Sequence, residues 1–204
     1  MTSGSPYARA IGDRMPHLHP DLQRYFSAIE DGHVGVGEGV FDRVGTRKRW
    51  MRPLLRPLQI RGVLVSGWHR DVRFRIENRL VAGRVIAERT LALPDGSWIM
   101  RDAVALKPHG RLVDELGEPA TIAASFDTHV SNGALVLESR AVGIRLGWMH
   151  VRVPAFVAPT VRLIERFDAA SGRQRVDVTI TMPLIGRIYE YGGSFDYRIE
   201  RENA

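Results

Sequence analysis

Residues 122–139 read I-A-A-S-F-D-T-H-V-S-N-G-A-L-V-L-E-S. Ile122, Ala124, Phe126, Thr128 and Val130 share one parity, and Leu135, Leu137 and Ser139 continue the alternation after Asn132-Gly133. Period-two alternation marks a strand with one face in a core. Asn-Gly between two such runs is a strong hairpin signal, because the tightest β-turns need positive φ at both central positions. The stretch therefore predicts two antiparallel strands.

The same pattern extends in both directions. Upstream, Val72, Phe74 and Ile76 alternate with Arg73, Arg75 and Glu77. Pro94-Asp95-Gly96 predicts a turn between residues 84–93 and 97–106, since Pro sets φ and Gly accepts a positive one. Downstream, residues 148–160 form a break containing Pro154 and Pro159. Ser171-Gly172 then turns residues 161–167 into a run where Val176, Val178, Ile180 and Met182 alternate with polar residues. Pro183 and Gly186 mark a bend, and residues 188–199 close the chain.

Strands joined by tight turns pair antiparallel. A sheet of many strands curls or closes. Before residue 30 the spacing is helical instead: Tyr7, Ile11 and Met15, then Leu18, Leu22, Tyr25, Phe26 and Ile29, interrupted by Pro16 and Pro20. Short helices are expected over 6–14 and 20–29, the second capped by Asp21. The expected fold is α+β and mostly β. It is a strongly curved antiparallel sheet or open barrel of about eight to ten strands, with two or three short N-terminal helices over its mouth or one edge. Residues 1–6 read as a flexible leader and 7–204 as one domain. Gly35, Gly37 and Gly39 leave one strand face bare, so something bulky is expected over it.

The chain has 204 residues, 44% hydrophobic and 25% charged, ordinary globular values. It has no Cys, which excludes disulfides, thiolate metal sites, Fe–S clusters and cysteine nucleophiles. Neither a signal-peptide apolar core nor an apolar run of membrane-spanning length is present. The expected location is the cytoplasm, with peripheral contact at the inner membrane face. That contact comes from the charge. The formal net charge is +6. Residues 43–61 hold seven basic residues and no acidic one, leaving 22 basic against 23 acidic elsewhere. Arg47, Lys48, Arg49, Trp50, Arg52 and Arg56 combine cations with an amphipathic ring, as a peripheral anchor on an anionic surface does. The competing reading is an amphipathic segment, broken by Pro53 and Pro57, that packs its apolar side on the sheet with its Arg residues outward.

Read in order, the chain resembles an uncharacterised bacterial family, the domain of unknown function 4166. The resemblance rests on Pro154 and Pro159 before a strand holding Glu165, then Pro183-Leu184-Ile185-Gly186, Tyr191 and Gly193. The glycine-flanked strand near Gly39 and the pair Trp98 and Arg101 add to it. It spans about residues 7–199. Lys107-Pro108-His109-Gly110 departs from the family pattern. The resemblance implies a β-rich accessory domain, found alone or fused to saccharopine-dehydrogenase-like modules, and no assigned activity. A reductase-like protein partner follows from those fusions alone.

Chemical motifs are sparse. His17-Leu18-His19 has metal-ligand spacing on a strand, but lies between two prolines without a third ligand, so surface or capping roles are expected and no metal site. GxSxG, HExxH and phosphate-loop patterns are absent, and no cofactor is expected. Glu165 has the inward parity of Leu163 and Phe167. A carboxyl among apolar neighbours has a raised pKa and suits general acid/base work; the alternative is an ion pair with an Arg such as Arg101. Tyr189 and Tyr191 are expected to line the sheet with hydroxyls at the rim. The expected ligand-lining group is Trp98, Arg101, Glu138, Glu165 and Tyr191. The expected function is binding of a lipid-like or other hydrophobic small molecule in a cavity of the curved sheet. Catalysis on that ligand, with Glu165 as acid/base and Tyr191 or Arg101 orienting it, is the alternative; an accessory protein-interaction domain is a further one. Nucleic acid is not an expected partner, since no recognised binding-fold pattern is present.

Overall fold

The computed structural model describes residues 4–146 and 149–202. Eleven strands are formed: β1 (His33–Gly45), β2 (Trp68–Val81), β3 (Arg84–Leu93), β4 (Gly96–Leu106), β5 (Leu112–Leu116), β6 (Ile122–Ser131), β7 (Ala134–Leu146), β8 (Met149–Arg152), β9 (Thr160–Asp168), β10 (Arg173–Met182) and β11 (Gly186–Arg201). Apart from β8 and β9, every strand pairs antiparallel with its chain neighbours; β1 also pairs with β11, and β7 pairs with β9 past the short β8. The curved sheet therefore closes on itself. It is a closed ten-stranded antiparallel barrel, with β8 extending from β7.

The turns follow local chemistry. Asn132 and Gly133 both take positive φ, 50° and 75°, between the paired residues Ser131 and Ala134. Pro94 and Asp95 connect Leu93 to Gly96, which has φ 120°. Lys107-Pro108-His109-Gly110, the departure from the family pattern, belongs to the β4–β5 hairpin. The Pro154–Pro159 break also has a clear geometry. β8 and β9 run in the same direction along β7, and residues 139–142 of β7 face residues 153–161 of the returning chain. They are one return strand, split by a loop bulging outward between two prolines.

Alternation sorts the side chains. Val72, Phe74 and Ile76 are buried inside, while Arg75 and Glu77 pair with each other on the outer wall. That wall is laced with ion pairs such as Arg175 with Asp42 and Asp177. The bare glycine face points inward. Tyr197 occupies the space a Gly35 side chain would take, and Phe195 and Ile76 close over Gly37.

Two caps close the ends. α1 (Pro6–Ile11), a 3-10 turn over Gly12–His17, and α2 (Pro20–Phe26) fill one end with Ile11, Leu18, Leu22 and Phe26. Three expectations change here. Ser5 and Pro6 do not belong to a flexible leader, because Ser5 is 1% exposed and caps α1 through its hydroxyl; residues 1–3 lie outside the described residues. Pro20 occupies the first turn of α2, where its missing N–H costs nothing, so the cap is His19 rather than Asp21. His19 accepts from the Asp21 N–H at 3.4 Å and stacks on Phe167 at 3.9 Å, the capping role open to it from sequence. The third helix is not N-terminal. α3 (Arg52–Ile60) follows β1 and closes the opposite end, burying Leu55, with Met51 buried in the 3-10 turn just before it. Pro53 falls in its first turn and is tolerated there.

Candidate functional site

The barrel encloses a divided lumen. Beneath α3 lies an apolar chamber of about 180 Å³. Its roof is Leu55, Leu58, Val63 and Leu64, and its walls include Ala124 and Val178. Its floor carries polar side chains, Asp114 and Tyr191. Both also line a deeper chamber of about 60 Å³ with Arg89, Asp102 and Glu165. Tyr7 and Tyr25 close that chamber from the helical end.

These polar groups come from several strands, each at a parity that is otherwise apolar. Arg89 lies between Ala87 and Leu91, Asp102 between Met100 and Val104, and Asp114 between Leu112 and Leu116. Glu165 lies between Leu163 and Phe167. Register then brings them together. Met100 is the cross-strand partner of Arg89, and Val104 is that of Asp114. Arg89, Asp102 and Asp114 are thus diagonal neighbours on one face, a separation that long side chains bridge.

Arg89 donates to the Asp102 carboxylate in a buried ion pair. The Glu165 carboxyl accepts from the Gln174 side-chain amide. Asp114 Oδ1 is buried without a hydrogen-bond partner among the described residues. The lumen thus holds three carboxyls against one guanidinium. Burial raises the Asp102 pKa, against the pull of Arg89. Burial, then the Asp102 charge, pushes Asp114 well above the usual carboxylate range. Burial lifts Glu165 to about 7, opposed by the Gln174 hydrogen bond and the Arg89 charge. Desolvation of the charged form is the physical cause in each case. Near neutral pH Glu165 is therefore about half protonated, able to donate as well as accept a hydrogen bond, and burial shifts Asp102 and Asp114 in the same direction.

The matches fall on these same strands. The family model described as Domain of unknown function (DUF4166) matches residues 18–195. The chain belongs to this family. A relative of the DUF4166 chain is the uncharacterized protein YndH of Bacillus subtilis (strain 168), 22% identical over 194 residues, covering 91% of this chain and 93% of YndH. No solved structure matches.

The DUF4166 barrel divides the residues selected from sequence into three places. Glu165 and Tyr191 face the lumen. Tyr189 does not reach the floor: its hydroxyl accepts from the Val65 N–H at 3.2 Å, at the α3 mouth. Arg101 is on the outer wall, paired with Glu88 and Glu118 and not with Glu165. It lines an open outer groove of about 870 Å³ with Trp98, Arg52, Arg56 and Arg61. Trp98 donates from Nε1 to the Gln59 carbonyl at 3.0 Å, which fastens α3 to β4. Glu138 is on the wall elsewhere, paired with Arg162. The physical reason is parity: Arg101 precedes the inward Asp102, and Glu138 follows the inward Leu137. A shift of one residue changes the face.

Arg89, Asp102 and Asp114 were not selected from sequence, although an ionisable residue at an apolar parity was a usable signal for all three. In the basic segment, Arg43 and Arg47 join Arg187 of β11 around Glu190, which is 3% exposed. Arg47 also lies 4.5 Å over the Trp68 ring. Lys48, Arg49 and Arg56 have no ion pair among the described residues. Trp50 is 55% exposed, and Trp148 lies outside the described residues. Among the described residues no helix is long and apolar enough to cross a membrane.

Proposed function

We propose that this DUF4166 barrel binds a compact hydrophobic molecule in its lumen. The observation that carries the reading is an enclosed apolar chamber that ends on a carboxyl oxygen, Asp114 Oδ1, with no hydrogen-bond partner among the described residues. An apolar cavity of about 150 Å³ stays dry and admits a benzene-sized molecule. The chamber of about 180 Å³ therefore suits a ring or short chain rather than a full acyl tail. A hydroxyl or amine at one end of the ligand would satisfy Asp114, because a buried acceptor left unmet is costly.

The experiment is to purify the protein natively, extract it with organic solvent and analyse the extract by mass spectrometry. An Ala124→Phe variant, filling the chamber, is treated alongside. Toluene serves as a probe of matching size. A stoichiometric apolar molecule from the wild type but not from Ala124→Phe supports the reading. So does a toluene-induced rise in melting temperature that the variant lacks, since a ligand of the folded state raises its stability. Empty extracts from both, with no response to toluene, count against it and move weight to a protein partner.

A second reading, catalysis on the bound molecule, draws support from Glu165, whose carboxyl titrates near neutrality beside Tyr191. In this reading Glu165 shuttles a proton and Tyr191 orients the substrate, without Arg101. The identified ligand, incubated with wild type and Glu165→Gln, tests it: turnover lost in the variant with binding retained favours catalysis.

A further inference from the structure

We infer that the α3 end of the barrel docks on an anionic lipid bilayer. The barrel's meander brings three separated segments to this end: residues 46–67 around α3, the β7–β8 hairpin with the loop after it, and the β10–β11 turn. Residues 46–67 cross the mouth, and Glu118 N–H donates to the Arg61 carbonyl from the β5–β6 turn at 3.0 Å. All three segments expose large apolar side chains. Trp50, Leu54 and Ile60 are 55%, 63% and 76% exposed, Phe156 is 78% exposed, and Leu184 is fully exposed. Met149 is exposed in the hairpin. Among the described residues only Val81, Ile86 and Ile199 expose large apolar side chains outside these segments. Clustered exposed apolar residues mark an interaction surface, whereas scattered ones do not.

The charges at this end differ from those of the wall. Many wall arginines are matched to carboxylates, as Arg75 is to Glu38 and Glu77, although Arg73 and Arg201 have no ion pair among the described residues. Around α3, Lys48, Arg49, Arg56 and Arg61 have no ion pair among the described residues. Apolar tips standing among unpaired cations match a bilayer, whose phosphates meet the cations while its hydrocarbon boundary takes the tips. The tips stand on three segments around a mouth rather than lining one groove. A flat, deformable partner suits that arrangement better than a single peptide. Nucleic acid would use the cations but not Leu184 or Phe156. This inference does not depend on the lumen being occupied.

The test is co-sedimentation of the full chain with vesicles of phosphatidylcholine alone and of phosphatidylcholine with phosphatidylglycerol in equal parts. Two variants accompany the wild type: Phe156→Ser with Leu184→Ser, and Arg49→Gln with Arg56→Gln and Arg61→Gln. All five positions are exposed, so melting temperatures should match the wild type and confirm folding. The wild type should bind the anionic vesicles and not the neutral ones. The Gln variant should bind roughly a hundredfold more weakly, from the usual contribution of a basic residue near an anionic surface. The Ser variant should lose about tenfold or more, and its residual binding should be more salt-sensitive. Absence of wild-type binding overturns the inference, as does a Ser variant that binds like the wild type. A dimer that forms without vesicles and is broken by the Ser changes also overturns it, and assigns the face to a second copy.

Discussion

Replacing Glu165 with Gln should remove a pH dependence from the protein's stability. In the fold this carboxyl titrates at about 7 against an ordinary 4.5, chiefly because burial disfavours its charge. Ionising it in place therefore costs about 3 kcal/mol more than in the open chain. Its folded value lies above its unfolded one, so the native state holds the proton more tightly. The stabilising contribution is fully present below about pH 4.5 and is lost as pH rises to about 7. Gln is neutral throughout and leaves the Gln174 amide an oxygen to donate to, as it does now to Glu165. The assay is urea unfolding followed by tryptophan fluorescence, for both proteins, from about pH 4.5 to about pH 8. Asp102 and Asp114 titrate in both proteins, so their contributions largely cancel in the difference. The wild type should match the variant at the acid end and fall about 3 kcal/mol below it at the alkaline end. Parallel stability curves across this range would refute the reasoning, since they would mean that solvent reaches Glu165 or that a cation compensates it.

Two further outcomes follow from the same structure. Arg89→Met strands the Asp102 carboxylate and should destabilise the barrel by roughly 3–5 kcal/mol, whereas Arg89→Met with Asp102→Leu should recover most of that in thermal unfolding; an equal loss in both would mean that the pair adds packing rather than charge. Ala82 has φ 49° in the β2–β3 turn, a left-handed conformation that a plain side chain adopts at a cost. Ala82→Asn should raise the unfolding free energy by roughly 0.5–1 kcal/mol, and an unchanged urea midpoint would show the turn to be unstrained.

Legibility varied with the kind of signal. The Asn132-Gly133 hairpin was plain because its chemistry is local. The Ala82-Gly83 hairpin was not, because Ala stands where the turn favours Asn or Gly. The prolines of 154–159 announced a break, but only pairing of β8 and β9 along the same strand shows that the break interrupts one return strand. Within the site, the alternation oriented Glu165 correctly. The same alternation would have excluded Arg101 and Glu138 and selected Asp102, had the inward parity been carried through each strand.

The sequence by itself determined most of the strands and their turns, the antiparallel order and, between bulges, the side of the sheet a residue occupies; it did not reveal β5 or β8. Those properties arise from neighbours a few positions apart. Only the tertiary structure decided that the sheet closes, that α3 caps one end while α1 and α2 fill the other, and that four ionisable residues from four strands share one lumen. Period-two alternation assigns a side chain to a face, but it carries no information about height along the barrel. That height comes from the registers of successive strand pairs and from closure of β1 on β11. The exposed rim has the same origin: Trp50, Phe156 and Leu184 are far apart in the chain, and the direction in which each strand runs brings them to one end.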